Sequence, residues 1–145
     1  TRLIGGKTDI VMMLNGALAG LVAITAEPLT PGPITAMIIG SVGAIIMYFG
    51  TKMLESYGLD DVVGAIPVHM FAGIFGTLVV PLTNPNTSFG TQFIGTASVC
   101  IFSFVFSWAT FTALKSTIGL RISKAAEKLG TDKAEVGVTA YSIRD

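Results

Sequence analysis

The amino-acid sequence predicts an all-α fold, a bundle of helices that span a membrane. Charged residues make up 12% of the 145 residues, about half the share usual in a soluble domain. No Asp, Glu, Lys or Arg occurs in the 53 residues from Val62 to Leu114, and Glu27 is the only one between Ile10 and Thr51. Charged side chains normally cover the surface of a soluble protein, so these stretches exclude that class. Nine basic residues balanced by nine acidic ones also exclude a basic face for nucleic acid.

Four segments are long and apolar enough to cross a bilayer as helices, which takes about 20 residues. They cover residues 10–26, 34–54, 62–82 and 92–114. Stretches rich in proline or asparagine, residues 28–33 and 83–88, separate two pairs of them. Strands are disfavoured, because the segments are long and do not alternate between apolar and polar residues. We therefore divide the chain into a four-span membrane region, residues 1–114, and a second part, residues 115–145, that holds the end of the last helix and a cytoplasmic tail.

The basic residues predict an orientation in the membrane. With four spans, all nine Lys and Arg residues fall on one side, and the two loops on the other side have none. By the positive-inside rule, both termini and the loop with Lys52 lie in the cytoplasm. The sequence thus predicts a multi-pass protein of the cell membrane, meaning the plasma or inner membrane.

The chain becomes polar and charged beyond Leu114. Apolar residues continue at helical spacing as Ile118, Ile122, Ala125 and Leu129. This spacing predicts that the last span continues into a short amphipathic helix, followed by an irregular tail. Two roles stay open for that helix: a solvated basic flank that anchors the span, or a docking or regulatory element.

Three spans carry a face of small or weakly polar residues, which lets helices in a membrane approach closely. These faces are Gly16, Ala19, Gly20 and Ala23 in the first span, Ala36, Gly40, Gly43 and Ala44 in the second, and Thr96, Ser103, Ser107 and Thr110 in the last. Together they predict a tight bundle of several helices.

The third span contains His69, the only histidine of the chain. Small residues such as Ala72 and Gly76 share its helical face, whereas bulky residues such as Phe71 and Phe75 occupy the opposite face. We therefore expect the histidine face to pack against protein or to line a narrow lumen, and the bulky face to contact lipid.

Two roles stay open for His69. An ionisable residue at membrane depth is a functional candidate, and an imidazole exchanges protons near neutral pH. Alternatively, a neutral His69 stabilises the bundle through a hydrogen bond to a neighbouring helix. No second His, Cys or carboxylate lies on its face, so we expect no metal site. No phosphate loop, nucleotide motif or nucleophile–base pair indicates an enzyme or a bound cofactor.

Several motifs resemble those of the ammonium transporter family, the Amt/Mep/Rh superfamily. They are DDVVGAIPVH (residues 60–69), AGIFGTL (72–78), NGALAGLVAIT (15–25), QFIG (92–95), GLRI (119–122) and the tail pattern Gly130, Asp132, Gly137, Ala140, Tyr141. The resemblance extends over about residues 7–141. It implies an eleven-span fold of two inverted repeats, of which this chain looks like the last four spans and the tail. We therefore expect the chain to be a fragment, preceded by further spans.

The resemblance implies transport of ammonium or ammonia through a narrow apolar pore, in a homotrimer with one pore per subunit. His69 looks like the second of two histidines that line the pore in the family, and it would help to move a proton while neutral ammonia passes. Ala65, Ile66 and, at the outer end of the first span, Thr25 are expected at the pore wall.

The resemblance also implies roles at the cytoplasmic face. Asp60 and Asp61 match the family at the cytoplasmic mouth, where we expect them to cap the third span. The residues expected to make tail or regulatory contacts are Arg121, Gly130, Asp132, Gly137 and Tyr141. PII-type signalling proteins can regulate the family through this tail. Val136 and Val138 stand where the family usually has His and Glu, which argues against such docking here.

Two other functions stay open at this point. One is the membrane domain of an ammonium sensor, which we expect to continue past Asp145 into a signalling domain. The other is a structural membrane subunit without a pore. Replacement of His69 distinguishes the transporter from that structural subunit, because only a pore depends on the imidazole for conduction.

Overall fold

The computed structural model describes residues 6–140, so Tyr141 lies outside the described part. The helices are α1 (Ile10–Ile24), α2 (Pro33–Ser56), a π-helical turn (Ile66–Phe71) that continues into α3 (Ala72–Val79) and a 3-10 turn (Val80–Leu82), α4 (Phe89–Thr117), α5 (Lys124–Leu129) and a second π-helical turn (Asp132–Val136). No β-strand occurs in residues 6–140, and the predicted all-α class is confirmed. Two compact units are described separately, one up to Cys100 and one from Ile101.

The helices differ at their ends from the predicted spans. The third one begins at Ile66 rather than at residue 62, because Gly64 has a φ of 73°, a left-handed conformation that an α-helix does not accommodate. The last one begins at Phe89 rather than at residue 92. There the Ser88 hydroxyl accepts a hydrogen bond from the backbone N–H of Thr91 at 3.2 Å and so caps the helix.

Two of the helices, α2 and α4, are long and apolar enough to cross a membrane. The other two apolar segments, Ile10–Ile24 and Ile66–Leu82, are shorter. At 1.5 Å per residue, the 15 residues of α1 extend about 22 Å, less than the roughly 30 Å of a hydrocarbon core. That all four segments cross a membrane therefore stays a prediction.

Helices α1 and α2 pack through the small residues that the sequence indicated. A Cβ on Gly20 would lie 3.1 Å from the backbone oxygen of Gly40, so the two backbones are almost in contact. Gly16 lies opposite Ala44 and Met47, which shows that the two helices run antiparallel. The predicted packing faces of the first two spans are thus confirmed.

The third segment packs against α1 and α2 through residues four apart. Val68, Ala72, Gly76 and Val80 are buried along this face. The core below consists of Ala19, Met47, Val68 and Ala72, with Met12 and Val22 packed against it. A Cβ on Gly76 would collide with the backbone of Ala23. Contacts between α1 and this segment follow increasing residue numbers in both, so the two run parallel.

The expectation that the bulky face of the third segment contacts lipid is corrected by the structure. Phe71 was assigned to it, but its ring lies against Gly50 of α2, where a Cβ would come 2.5 Å from Phe71 Cδ2. The absence of a side chain at Gly50 makes room for the ring. A helical period alone could not reveal this, because the recess belongs to another helix.

The packing face expected of the last span, from Thr96 to Thr110, stays a prediction, because no residue of α4 is buried within the described residues. One expectation for the tail is corrected. The amphipathic helix is not a continuation of α4, because Gly119 adopts a φ of 79° and interrupts it. Instead α5 starts anew after Ser123, whose hydroxyl accepts the N–H of Ala126 at 3.2 Å.

Candidate functional site

His69 lies in the π-helical turn at the start of the third segment. Pro67 has no N–H to donate, and its carbonyl accepts the N–H of Ala72 five residues on, the spacing of a π-helix. His69 itself is exposed, and its imidazole makes no hydrogen bond within residues 6–140. Helices α1 and α2 therefore neither cover the histidine nor form a hydrogen bond with its imidazole.

The residues before this turn fix where it begins. The Asp61 carboxylate accepts the backbone N–H of Ala65 at 2.9 Å and that of Ile66 at 2.8 Å. These N–H groups have no partner within a helix that starts here, so the carboxylate caps it, and its charge suits the positive end of the helix dipole. Asp60, in contrast, makes no hydrogen bond or ion pair within residues 6–140. The two neighbouring carboxylates thus have different surroundings.

Asn15 of α1 reaches the same place from the neighbouring helix. Its side-chain Nδ2 donates a hydrogen bond to the backbone oxygen of Val63 at 3.0 Å. The nitrogen would lie only 2.5 Å from a Cβ on Gly64, so a glycine is required there for space as well as for its φ of 73°. The sequence pattern did not predict this contact. A lone amide in an otherwise apolar helix was the only signal for it.

Ala65 and Ile66 lie on the same exposed side as His69, one turn before it. All three therefore face away from α1 and α2. Thr25 does not join them: it is the C-cap of α1, and its hydroxyl donates to the carbonyl of Val22 at 2.7 Å. Ala23 is level with Gly76, which follows His69 by about 10 Å of helix. Thr25 is thus farther along the bundle than the histidine.

At that far end, one side-chain hydrogen bond connects two loops. Glu27 Oε2 accepts a hydrogen bond from Asn84 Nδ2 at 2.9 Å, across 57 positions of sequence. Its other oxygen accepts the backbone N–H of Leu29 at 3.3 Å. Glu27, the only charged residue between Ile10 and Thr51, therefore holds the loop after α1 to the loop before α4.

A comparison with known protein families gives a match over nearly the whole chain. Residues 1–141 fit the Ammonium Transporter Family. The chain belongs to this family. Its members are polytopic helical membrane proteins, in agreement with the predicted class.

Several members of the family are similar to the chain over nearly its whole length. The chain is 39% identical to the ammonium transporter Amt2 of Archaeoglobus fulgidus, over 97% of this chain and 34% of the relative. It is 31% identical to Amt2 of Methanocaldococcus jannaschii, over 96% of this chain and 35% of the relative. It is 28% identical to ammonium transporter 1 of Dictyostelium discoideum, over 94% and 33%. The chain thus spans about a third of the length of these relatives.

The tail of this family member contains an ordered turn around Asp132. Asp132 Oδ2 accepts the backbone N–H of Ala140 at 2.9 Å, and the Asp132 carbonyl accepts that of Val138 at 3.3 Å. The hydrogen bond from Ala140 lowers the pKa of the Asp132 carboxyl from its ordinary value. Gly130 and Gly137, with φ of 98° and 74°, supply the left-handed residues on either side.

Arg121 is not part of this turn. Its guanidinium donates to Glu127 of α5 at 2.6 Å, in an exposed ion pair. Such a pair adds little to stability, because water screens the two charges. Of the five predicted tail residues, the structure therefore brings Gly130, Asp132 and Gly137 together, leaves Arg121 apart, and does not describe Tyr141.

Proposed function

We propose that the protein conducts ammonium or ammonia across a membrane through a narrow apolar pore, with His69 as a proton relay. The observation that carries this proposal is the setting of His69. It is the only histidine, it lies in a stretch of 53 residues without Asp, Glu, Lys or Arg, and it is exposed rather than packed against α1 and α2. The names of the relatives, ammonium transporters in archaea and in Dictyostelium, support the choice of substrate.

The physical reason for a relay is the cost of an ion in an apolar environment. An ammonium ion without hydration or a partner is expensive to bury, whereas ammonia is neutral. A pore lowers the barrier if the proton leaves at its entrance and travels separately. An imidazole can accept a proton at one ring nitrogen and release one from the other. Ala65 and Ile66, beside His69, would form an apolar wall that holds little water.

The part of the chain before the histidine would form the cytoplasmic mouth. Asp61 holds the first N–H groups of the turn, which is a structural role. The basic residues support an orientation with both termini of this segment in the cytoplasm of the cell or inner membrane. Thr25 would lie toward the outer end, as a weaker candidate for the pore wall.

We propose a homotrimer as the assembly, on the strength of family membership. The tail, with its turn around Asp132, would make the regulatory contacts between subunits. A PII-type protein is the weaker proposal for a partner, since Val136 and Val138 place apolar, exposed side chains beside Gly137.

The proposal is tested by uptake in cells that lack their own ammonium transporters. We expect the complete gene product to restore growth on limiting ammonium and to take up ¹⁵N-labelled ammonium. Substitution Met70→Leu, at an exposed neighbour of His69, serves as a control and is expected to leave uptake unchanged. A gene product that reaches the membrane but gives no uptake above that of empty cells would contradict ammonium transport.

A further inference from the structure

We infer that Asn15 is a positioning residue for His69: its carboxamide fixes the backbone from which the histidine-bearing turn begins. This inference rests on the proposed function, because it gives Asn15 a part in placing a pore histidine. Asn15 touches neither the imidazole nor the exposed side of the turn, and it acts through the main chain.

Asn15 makes a direct contact with the segment that precedes the turn. Asn15 Nδ2 donates to the Val63 oxygen at 3.0 Å. Within residues 6–140, this is the only side-chain hydrogen bond between α1 and residues 60–82. Val63 is 68% exposed, so without the amide its carbonyl would bond to water and would no longer be tied to α1. The contact therefore holds the segment before the turn, which contains Val63, against α1.

The backbone connects Val63 to His69 through hydrogen bonds of Gly64. Gly64 follows Val63, and its own position is set from both sides. Its N–H donates to the Asp61 carbonyl at 3.1 Å, and its carbonyl accepts the N–H of Val68 at 3.1 Å. His69 directly follows Val68. A shift of Gly64 would therefore be transmitted to the backbone of His69 through the hydrogen bond between Gly64 and Val68.

Asn15 and Gly64 fit closely together. The amide nitrogen occupies the space that a Cβ on Gly64 would need, at 2.5 Å. Val68, 2% exposed, anchors the opposite side of the turn in the core. The turn is therefore held at two points, by packing at Val68 and by the amide at Val63. The direction in which His69 leaves the helix depends on both.

The experiment uses Asn15→Leu in the complete gene product, since leucine has a similar size and no donor. We expect hydrogen–deuterium exchange of residues 62–69 to become faster by about threefold or more, as the loss of one hydrogen bond implies. We also expect the maximal rate of ammonium transport per folded molecule to fall by a similar factor, with the half-saturating concentration changed by less than about twofold. The control is Ser41→Ala, which removes a hydroxyl that bonds only its own helix, to the Met37 oxygen at 2.7 Å.

Unchanged exchange in residues 62–69 would overturn the inference, and so would an unchanged maximal rate despite faster exchange. If Asn15→Leu is not recovered in folded form, Asn15→Ala is measured instead, because it removes the donor without adding bulk or charge; the same outcomes decide. A wild-type protein that does not transport ammonium contradicts the proposed function, not the contact. The exchange measurement then still determines whether Asn15 holds the turn.

Discussion

Gly43 of α2 lies directly against Ala19 of α1, so that a Cβ on Gly43 would come within 2.9 Å of the Ala19 carbonyl oxygen. It would also lie 2.7 Å from the Cβ of Ala23. Neither of these atoms is the flexible end of a side chain: one is a backbone oxygen and the other is a Cβ. The approach of the two helices therefore depends on the absence of a side chain at this position.

Replacement of this glycine should destabilise the bundle. We expect Gly43→Ala to lower the free energy of unfolding in detergent by about 1–3 kcal/mol, because the helices must separate to admit the methyl group. The control is Gly95→Ala in α4, where nothing lies within 4 Å of the added Cβ. That change should be neutral or should stabilise by up to about 1 kcal/mol, since alanine favours a helix. Equal stability of Gly43→Ala and wild type would contradict the close approach.

The two neighbouring aspartates at the start of the third segment should respond differently. Asp61→Ala removes both hydrogen bonds to the N–H groups of Ala65 and Ile66, and we expect a loss of about 1–2 kcal/mol in the free energy of unfolding. Asp60→Ala removes a side chain without a hydrogen bond in the described residues, and it should change stability by less than about 0.5 kcal/mol. Thermal unfolding of the two purified variants compares them. Equal effects would show that the cap is not specific to Asp61.

The turn in the tail should open when Asp132 is protonated. The hydrogen bond from Ala140 favours the charged carboxylate and lowers its pKa from the ordinary value of 3.8. The contribution to the stability of the turn is therefore present above pH 3.8 and is lost as the pH falls through the lowered pKa. We expect the amide proton resonance of Ala140 to titrate below pH 3.8 in an NMR experiment, and to lose this titration in Asp132→Asn. A midpoint above 3.8 would contradict the contact.

The contact between the loop after α1 and the loop before α4 gives a further prediction. Glu27→Ala removes the partner of Asn84 and of the Leu29 N–H. We expect hydrogen–deuterium exchange to become faster in both loops, residues 27–32 and 83–88, by about two- to tenfold, as for a lost hydrogen bond. Asn86→Ala is the matched control, because only the backbone N–H of Asn86 takes part, in a bond to Asn84 Oδ1. Faster exchange in the first loop alone would show that Glu27 does not hold the second one.

The sequence predicted what depends on composition and helical period. The uncharged stretches indicated a membrane protein, and the small residues at Gly20, Gly40 and Gly43 indicated where α1 and α2 meet. These features are local properties of one helix, so a single sequence reveals them. The face expected for His69 is corrected, because Ala72 and Gly76 are buried against α1 and α2 whereas His69 is exposed. That His69 lines a lumen stays a prediction.

Contacts between segments were beyond the reach of the pattern. The recess at Gly50 that receives Phe71 and the bond from Asn15 to Val63 both join residues that are distant in sequence. The shift of the third helix to Ile66 follows from Gly64, whose φ depends on its surroundings. A glycine in an apolar run looks the same whether it allows a close approach or a left-handed turn.

Ammonium transport by His69→Leu, counted per folded molecule in proteoliposomes, is the decisive test of the proton relay. Leucine preserves the bulk of the side chain and cannot carry a proton, so we expect the rate to fall by about tenfold or more. Met70→Leu, measured in parallel, should transport at the wild-type rate. Transport by His69→Leu at the rate of wild type would contradict the proton relay and, with it, the central role assigned to this histidine.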